Sequence, residues 1–238
     1  MKRQFAVFDI DGTLIRWQLY HALGDELVRM KIISTNNYQA VRNARMLWKK
    51  RSTPDLYRQY EYTIIEVVEK ALIGIKFLDL EKAYIKVISE YKDQAYAYTR
   101  DLITKLKAEN YLIFAVSGSH HGIVAKIAEH YGFDDYSGTT YSDEDGVITG
   151  LKDIMILDRK PEKLKELVKK HNCTWKGSIA VGDSESDIPM LETVSNPIAF
   201  NPTQKLFKHA EIQGWKIVIE RKNMIYELES NDGRYQLV

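Results

Sequence analysis

Two aspartates separated by one residue, Asp9 and Asp11, end the apolar run Phe5-Ala6-Val7-Phe8, and Gly12 and Thr13 follow at once. A run this short and apolar reads as a buried strand. In open α/β sheets ligands bind beyond the carboxyl ends of the strands. Two acids held there suit metal binding and acid–base or nucleophilic work. Two later apolar runs end in similar chemistry. Tyr111–Val116 leads into Ser117-Gly118-Ser119, and Ser178–Val181 leads into Gly182-Asp183-Ser184, with Asp187 four residues beyond Asp183. Residues i and i+4 share a helix face, so Asp183 and Asp187 are expected to face the end of the sheet together from the first turn of a helix. Between these two runs Lys160 opens a helical pattern carrying Leu164, Leu167 and Val168.

Carboxylates, a hydroxyl, a backbone amide and an ammonium are the groups that phosphoryl transfer needs. Each alone has an ordinary explanation. Asp and Gly favour turns, serine caps helices, and most lysines on helices are solvated. Their order, each at the end of a buried strand or the start of a helix, is what carries the signal.

The elements that must position these groups are legible from periodicity. Residues 17–98 lack strand-like alternation. Four apolar sets recur at helical spacing: Leu19, Ala22, Leu23, Leu27 and Met30; Ala40 to Trp48, less cleanly; Ile64 to Leu72; and Leu80 to Tyr91. Ser52-Thr53-Pro54-Asp55 reads as a helix start with proline in its first turn. Nine of the 15 tyrosines fall in this stretch and are expected to pack helix faces with their hydroxyls reaching water. From Thr99 onward strands and helices alternate, which implies a parallel sheet covered on both faces. A hairpin is expected over residues 136–149 and another over 215–228, with the last eight residues frayed. The fold class is therefore α/β. A Rossmann-like parallel-sheet core, residues 1–16 and 99–238, carries a helical-bundle cap domain, residues 17–98, inserted after the first strand.

Composition narrows the function classes. The 238 residues suffice for one large domain or one with a substantial insertion. Lys and Arg number 34 against 33 Asp and Glu, a balance that gives no electrostatic footprint for nucleic acid or an anionic membrane. One cysteine, Cys173, cannot form an internal disulfide and reads as structural, which fits a reducing compartment. The N-terminal apolar run is too short for a signal peptide, and no apolar run approaches the ~18 residues of a membrane span. The expectation is a cytoplasmic protein, a monomer or weak homodimer.

Taken in order, four motifs resemble the haloacid dehalogenase superfamily of Mg²⁺-dependent aspartyl phosphohydrolases: Phe8-Asp9-Ile10-Asp11-Gly12-Thr13-Leu14, Val116-Ser117-Gly118-Ser119, Lys160-Pro161-Glu162-Lys163-Leu164, and Val181-Gly182-Asp183-Ser184-Glu185-Ser186-Asp187. The likeness covers about residues 4–213. An insertion between the first two motifs looks like the family's type 1 cap, and the spacing around Lys160 looks like the phosphoserine-phosphatase-like branch. The resemblance implies a phosphatase of small-molecule phosphomonoesters, with Asp9 as nucleophile and Asp11 as general acid and base. It implies Mg²⁺ held by the Asp9 carboxylate, the Asp11 carbonyl and the Asp183 carboxylate, with Asp187 in support. It also implies phosphate held by Ser117, the Gly118 amide and Lys160. Lys163 is a weaker rival to Lys160, and Arg159 a neighbour able to touch phosphate. His120 and His121 read as surface residues at a helix start.

One position departs from the pattern. Phosphoserine phosphatases carry a glutamate that reads the substrate amine where this chain has Gln18, and an amide lacks the charge to complement an ammonium. Strict phosphoserine specificity is therefore not expected, and Trp17 and Gln18 are the candidates for substrate contact. Transfer to an alcohol instead of water is a rival within the same chemistry. A phospho-acceptor module of the receiver type, or a ligand-binding member without turnover, is a rival of another class. In receiver modules the acid pair precedes an acceptor aspartate on a later strand, and no long helical insertion occurs. Dehalogenase activity is not expected, since that branch lacks the second aspartate.

Overall fold

The protein is described by a computed structural model covering residues 2–53, 56–156, 158–231 and 234–238. Pro54 and Asp55 of the expected helix start lie outside the described residues. Two compact units are present. One comprises Met1–Gln18, Tyr91–Thr139 and Met155–Val238; the other comprises Leu19–Glu90 and Thr140–Ile154.

The first unit is built on strand β1 (Phe5–Phe8), whose four residues are all buried. It pairs in parallel with β2 (Leu112–His120) on one side and β5 (Ile179–Gly182) on the other. Beyond β2 lies the first half of β3 (Asp135–Glu144), also parallel. Beyond β5 lie the parallel strands β6 (Asn196–Phe200) and β7 (Lys216–Arg221), then the antiparallel β8 (Met224–Asn231) and β9 (Arg234–Leu237). The chain leaves β1 outward to β2 and β3, then crosses back and proceeds through β5, β6 and β7. Right-handed crossovers run in opposite directions on the two sides of β1, so their helices cover opposite faces. Helices α5 (Ala97–Ala108) and α6 (His121–Tyr131) serve the first direction; α7 (Lys160–Lys170), α8 (Ile188–Leu191) and α9 (Gln204–Gln213) serve the second. The strand order reverses beside β1, the place where open α/β sheets form their ligand crevice.

The second unit holds α1 (Leu19–Arg29), α2 (Gln39–Lys49), α3 (Leu56–Leu72) and most of α4 (Phe77–Tyr91). Tyr60, Ile64, Val68 and Leu72 recur every fourth residue of α3 and are all buried, the stripe expected of an amphipathic helix. Helix α2 buries only Val41, and Met46 and Leu47 are exposed, which accounts for its untidy pattern. Arg45 forks onto Asp25 at 2.9 Å and donates to the Tyr60 hydroxyl at 2.7 Å. The Tyr60 ring stacks on Trp48 and lies 4.6 Å from the buried His21 ring. Burial, with Arg45 nearby, pushes His21 down to about 3, so it packs as a neutral ring. Several tyrosines here are deeper than expected: Tyr38 and Tyr60 are fully buried.

The structure departs from the sequence reading at three places. The second half of β3 and β4 (Val147–Ile154), joined by a left-handed Asp145-Gly146 turn, belong with the helical unit rather than the sheet unit. Backbone bonds from Gly74 to Ile148, from Ile148 to Ile75 and from Phe77 to Gly146 tie them there. Residues 91–98 belong with the sheet unit, because Arg16 donates to Gln94 and Tyr96 donates to Leu14. The C-terminal residues 234–237, expected to fray, form β9 on the edge of β8. The Tyr235 hydroxyl anchors them against the carbonyls of Ala210 and Trp215, at 2.8 and 2.6 Å. Tyr235→Phe should lower unfolding free energy by about 1 kcal/mol in urea titration. Faster amide exchange should be confined to β9 and the end of α9.

Candidate functional site

The candidate site gathers at the carboxyl ends of β2, β1 and β5, three neighbouring strands. Past β1 the Asp9 amide still donates to the Val181 carbonyl at 3.0 Å, so Asp9 is held in line with the strand. The chain then turns, with Leu14 and Ile15 both donating back to Ile10. Gly12 takes φ +80°, and a Cβ there would fall onto the Asp183 carboxylate. The position therefore needs glycine for its backbone and for space.

Asp9 is buried, at 4% exposure. Its Oδ1 accepts from Lys160 Nζ at 2.7 Å. The same ammonium reaches Asp187 Oδ1 at 2.6 Å. Lys160 is itself 2% exposed, in the first turn of α7 just before Pro161. Lys163 instead pairs with Glu166 at 2.7 Å on its own helix, and Arg159 is exposed. The ammonium of the site is Lys160. The Thr13 hydroxyl lies 3.5 Å from Asp9 Oδ2 and 3.3 Å from Asp183 Oδ1, bridging the two acids.

Asp183 and Asp187 come together by a route other than the expected helix face. Asp187 closes a 3₁₀ turn, Glu185–Asp187, and its Oδ2 accepts from the Asp183 amide, the Ser184 amide and the Ser184 hydroxyl at 3.0–3.1 Å. Its carboxylate thus caps the loop that carries Asp183. Gly182 allows this approach, since a Cβ there would stand 2.5 Å from the Asp187 side chain.

Asp11 faces a different set of partners. Its Oδ2 accepts from Ser117 Oγ at 2.9 Å and from Ser119 Oγ at 2.7 Å. Two residues apart on β2, these serines share one face of the strand. The β2–β3 register shifts between Val116 and His120, an irregularity of the kind that re-aims side chains at sites. The Gly118 carbonyl accepts from Thr139 Oγ at 2.8 Å. His120, expected at the surface, is buried at the end of β2, while His121 is partly buried against the Tyr136 ring. Trp17 and Gln18 are half-buried in the stretch leading to α1, and the contacts just described do not involve them.

Carboxylate oxygens of Asp9, Asp183 and Asp187 lie within 4.8 Å of one another. The burden of that arrangement is electrostatic. Burial pushes Asp9 up to about 7; Lys160 opposes the shift, and Asp187 and Asp11 add to it. Burial, then Asp187 and Asp9, holds Asp183 well above the usual carboxylate range. Burial works against the Lys160 charge, but Asp187 and Asp9 outweigh it and hold the ammonium above its ordinary value. Among the described residues Asp183 has no ion-pair partner. An all-oxygen set with surplus negative charge fits a hard divalent cation.

A family model described as haloacid dehalogenase-like hydrolase matches residues 6–192. The chain belongs to that family. Within it, the chain is similar to phosphoserine phosphatases. One from Streptococcus thermophilus is 25% identical over 196 residues, 82% of each chain. Another from Archaeoglobus fulgidus is 25% identical over 207 residues, 86% of this chain but 54% of that longer one. A solved phospho-aspartyl intermediate analogue of phosphoserine phosphatase shares the fold with a TM-score of 0.62 at 22% identity, covering 93% of this chain and 95% of that one. Among the described residues no helix is long and apolar enough to cross a membrane.

Two members of the cluster, Thr13 and Ser119, were not singled out from the sequence. The period of two along a strand could have paired Ser119 with Ser117; nothing local marks the contact of Thr13 with Asp183.

Lys160→Ala leaves two buried carboxylates without their cation and should cost about 3–5 kcal/mol in denaturant unfolding. Lys163→Ala should stay within about 0.5 kcal/mol. The raised Asp9 value also sets a pH dependence. Between the ordinary carboxylate range and about 7 the native state binds more protons at Asp9 than the unfolded state does. Its contribution to the stability of the metal-free protein therefore falls as pH rises through that window. Asp9→Asn should gain melting temperature relative to the parent at pH 8 compared with pH 5, measured in the presence of a chelator.

Proposed function

We propose that the chain is a Mg²⁺-dependent phosphatase of small phosphomonoesters, working through an aspartyl phosphate on Asp9. The observation that carries this reading is the division of the carboxylates into two environments. Asp9 sits among acids beside a buried ammonium. Asp11 instead accepts from two serine hydroxyls.

Asp9 is the nucleophile. Its Oδ forms a bond to phosphorus as the ester P–O bond breaks and its electron pair goes to the leaving oxygen. Asp11 gives that oxygen its proton. The Asp11 carboxylate then takes a proton from water, whose oxygen attacks phosphorus and releases Asp9 and inorganic phosphate. Ser117, the Gly118 amide and Lys160 hold the phosphoryl oxygens, and the Lys160–Asp9 contact keeps the nucleophile aimed. The carboxylates of Asp9 and Asp183 and the Asp11 carbonyl would hold Mg²⁺, which would supply the positive charge that lets a carboxylate approach a phosphate. Asp187 supports the site by fixing the Asp183 loop and sharing Lys160. Trp17 and Gln18 are the candidates for substrate contact, and the Gln18 amide disfavours strict dependence on a substrate ammonium. The helices of residues 19–90 act as the cap.

The test is hydrolysis of an aryl phosphate with Mg²⁺ and with chelator. The parent should turn over only with metal, and Asp9→Asn should not turn over. Asp11→Asn should lose about 10²–10⁴-fold in kcat. With an activated ester it should accumulate hydroxylamine-labile phosphate on the protein, since the base for hydrolysis is gone. Full activity in Asp9→Asn would refute the assignment.

A further inference from the structure

We propose that Ser119 is the positioning residue for Asp11, holding its carboxyl in place while Ser117 turns to the phosphoryl group. The inference rests on the proposed roles of Asp11 and Ser117 and adds a residue to which those roles assign nothing.

Both serine hydroxyls donate to the same oxygen, Asp11 Oδ2, at 2.9 Å from Ser117 and 2.7 Å from Ser119. A hydroxyl carries one proton. Ser117 therefore cannot donate to a phosphoryl oxygen and to Asp11 at the same time. When phosphate arrives, Ser117 is drawn away and Ser119 remains. The Ser119 amide meanwhile donates to Ser117 Oγ at 3.1 Å, so the Ser117 oxygen stays anchored while its proton changes partner.

Ser119 is well placed for this task. It is 4% exposed and belongs to β2, next to His120, which is in register with Thr139 of β3. A hydroxyl on a buried strand is held more firmly than one on a loop. The Ser119 donor that remains on Oδ2 leaves the carboxyl proton to Oδ1. In the first step the Asp9 oxygen bonds to phosphorus, the ester P–O bond breaks toward the leaving oxygen, and the Oδ1 proton passes to that oxygen. Asp11 is then a carboxylate still bonded to Ser119, ready to take a proton from water.

The test compares two esters with Mg²⁺ present: phenyl phosphate, whose poor leaving group needs the proton, and 2,4-dinitrophenyl phosphate, whose good leaving group does not. The ratio kcat/KM reports the steps through departure of the leaving group. Ser119→Ala should lose about tenfold more kcat/KM on phenyl phosphate than on the dinitrophenyl ester. Ser119→Thr, which keeps the hydroxyl, should restore the parent ratio. Equal losses on both esters would mean that Ser119 serves phosphate binding or folding, and no loss would mean that it serves neither; either result overturns the proposal. If the Ala variant fails to fold, Ser119→Cys carries the same comparison with a weaker donor at similar volume. Magnesium-independent turnover by the parent, or full activity in Asp9→Asn, would instead remove the underlying reading and this inference with it.

Discussion

One ammonium, that of Lys160, stands between two buried carboxylates and near a third, and much of the surrounding architecture follows from that shortage of positive charge. Three acids against one base, out of water, is an arrangement that desolvation opposes strongly. The fold moderates it in two ways. Asp187 spends its second oxygen on two amides and a hydroxyl, so its charge is shared with backbone dipoles. Asp9 and Asp183 share the Thr13 hydroxyl. Neither device neutralises the remainder, and both Asp9 and Asp183 are left with raised affinity for protons. The glycines at 12 and 182 exist within this constraint. At each, a side chain would occupy the volume that an aspartate needs.

Topology explains why the acids meet at all. β1 lies between β2 and β5, so the residues following these three strands are neighbours although they are far apart in sequence. Reversal of strand order beside β1 opens the crevice there. Each strand end contributes a distinct part: Asp9 and Asp11 from β1, two serine hydroxyls from β2, Asp183 from β5. The chain returning to β5 inserts α7, whose first residue is Lys160. The sheet thereby sets the distances, and the loops need only supply short side chains. That suits chemistry sensitive to sub-ångström placement.

Much of this was legible in the sequence because the signals are local. Buried strands ending in polar residues, and a lysine at a proline-led helix start, can be read one element at a time. What escaped reading depends on contacts between distant segments. A hairpin over residues 136–149 is legible in the sequence, but its membership of the helical unit rests on backbone bonds to residues 74–77 that leave no pattern. β9 exists because β8 offers an edge and Tyr235 finds two carbonyls, neither visible in a polar tail. Asp183 and Asp187 were expected to meet as i and i+4 on a helix. They meet because Asp187 caps the loop before a 3₁₀ turn, and a helical wheel has no place for that geometry. Strand boundaries mattered too: β2 continues through Ser119 to His120, and only on a continuing strand do Ser117 and Ser119 face the same partner.

The electrostatics also constrain the order of events in the proposed reaction. With Asp9, Asp183 and Asp187 ionised and Lys160 charged, the cluster is strongly anionic, and a phosphate dianion would meet repulsion from a site meant to receive it. Protonating Asp9 would relieve that repulsion but would also remove the nucleophile. A divalent cation held by these carboxylates would remove the conflict, because it would favour the ionised form of Asp9 and offset the repulsion of a phosphate. Asp11 enters this balance through its charge, which adds to the upward push on Asp9. Its Oδ2 accepts from two serine hydroxyls rather than from the lysine, so in the proposed reaction it can be a proton donor in the step that loads Asp9 and an acceptor in the step that frees it.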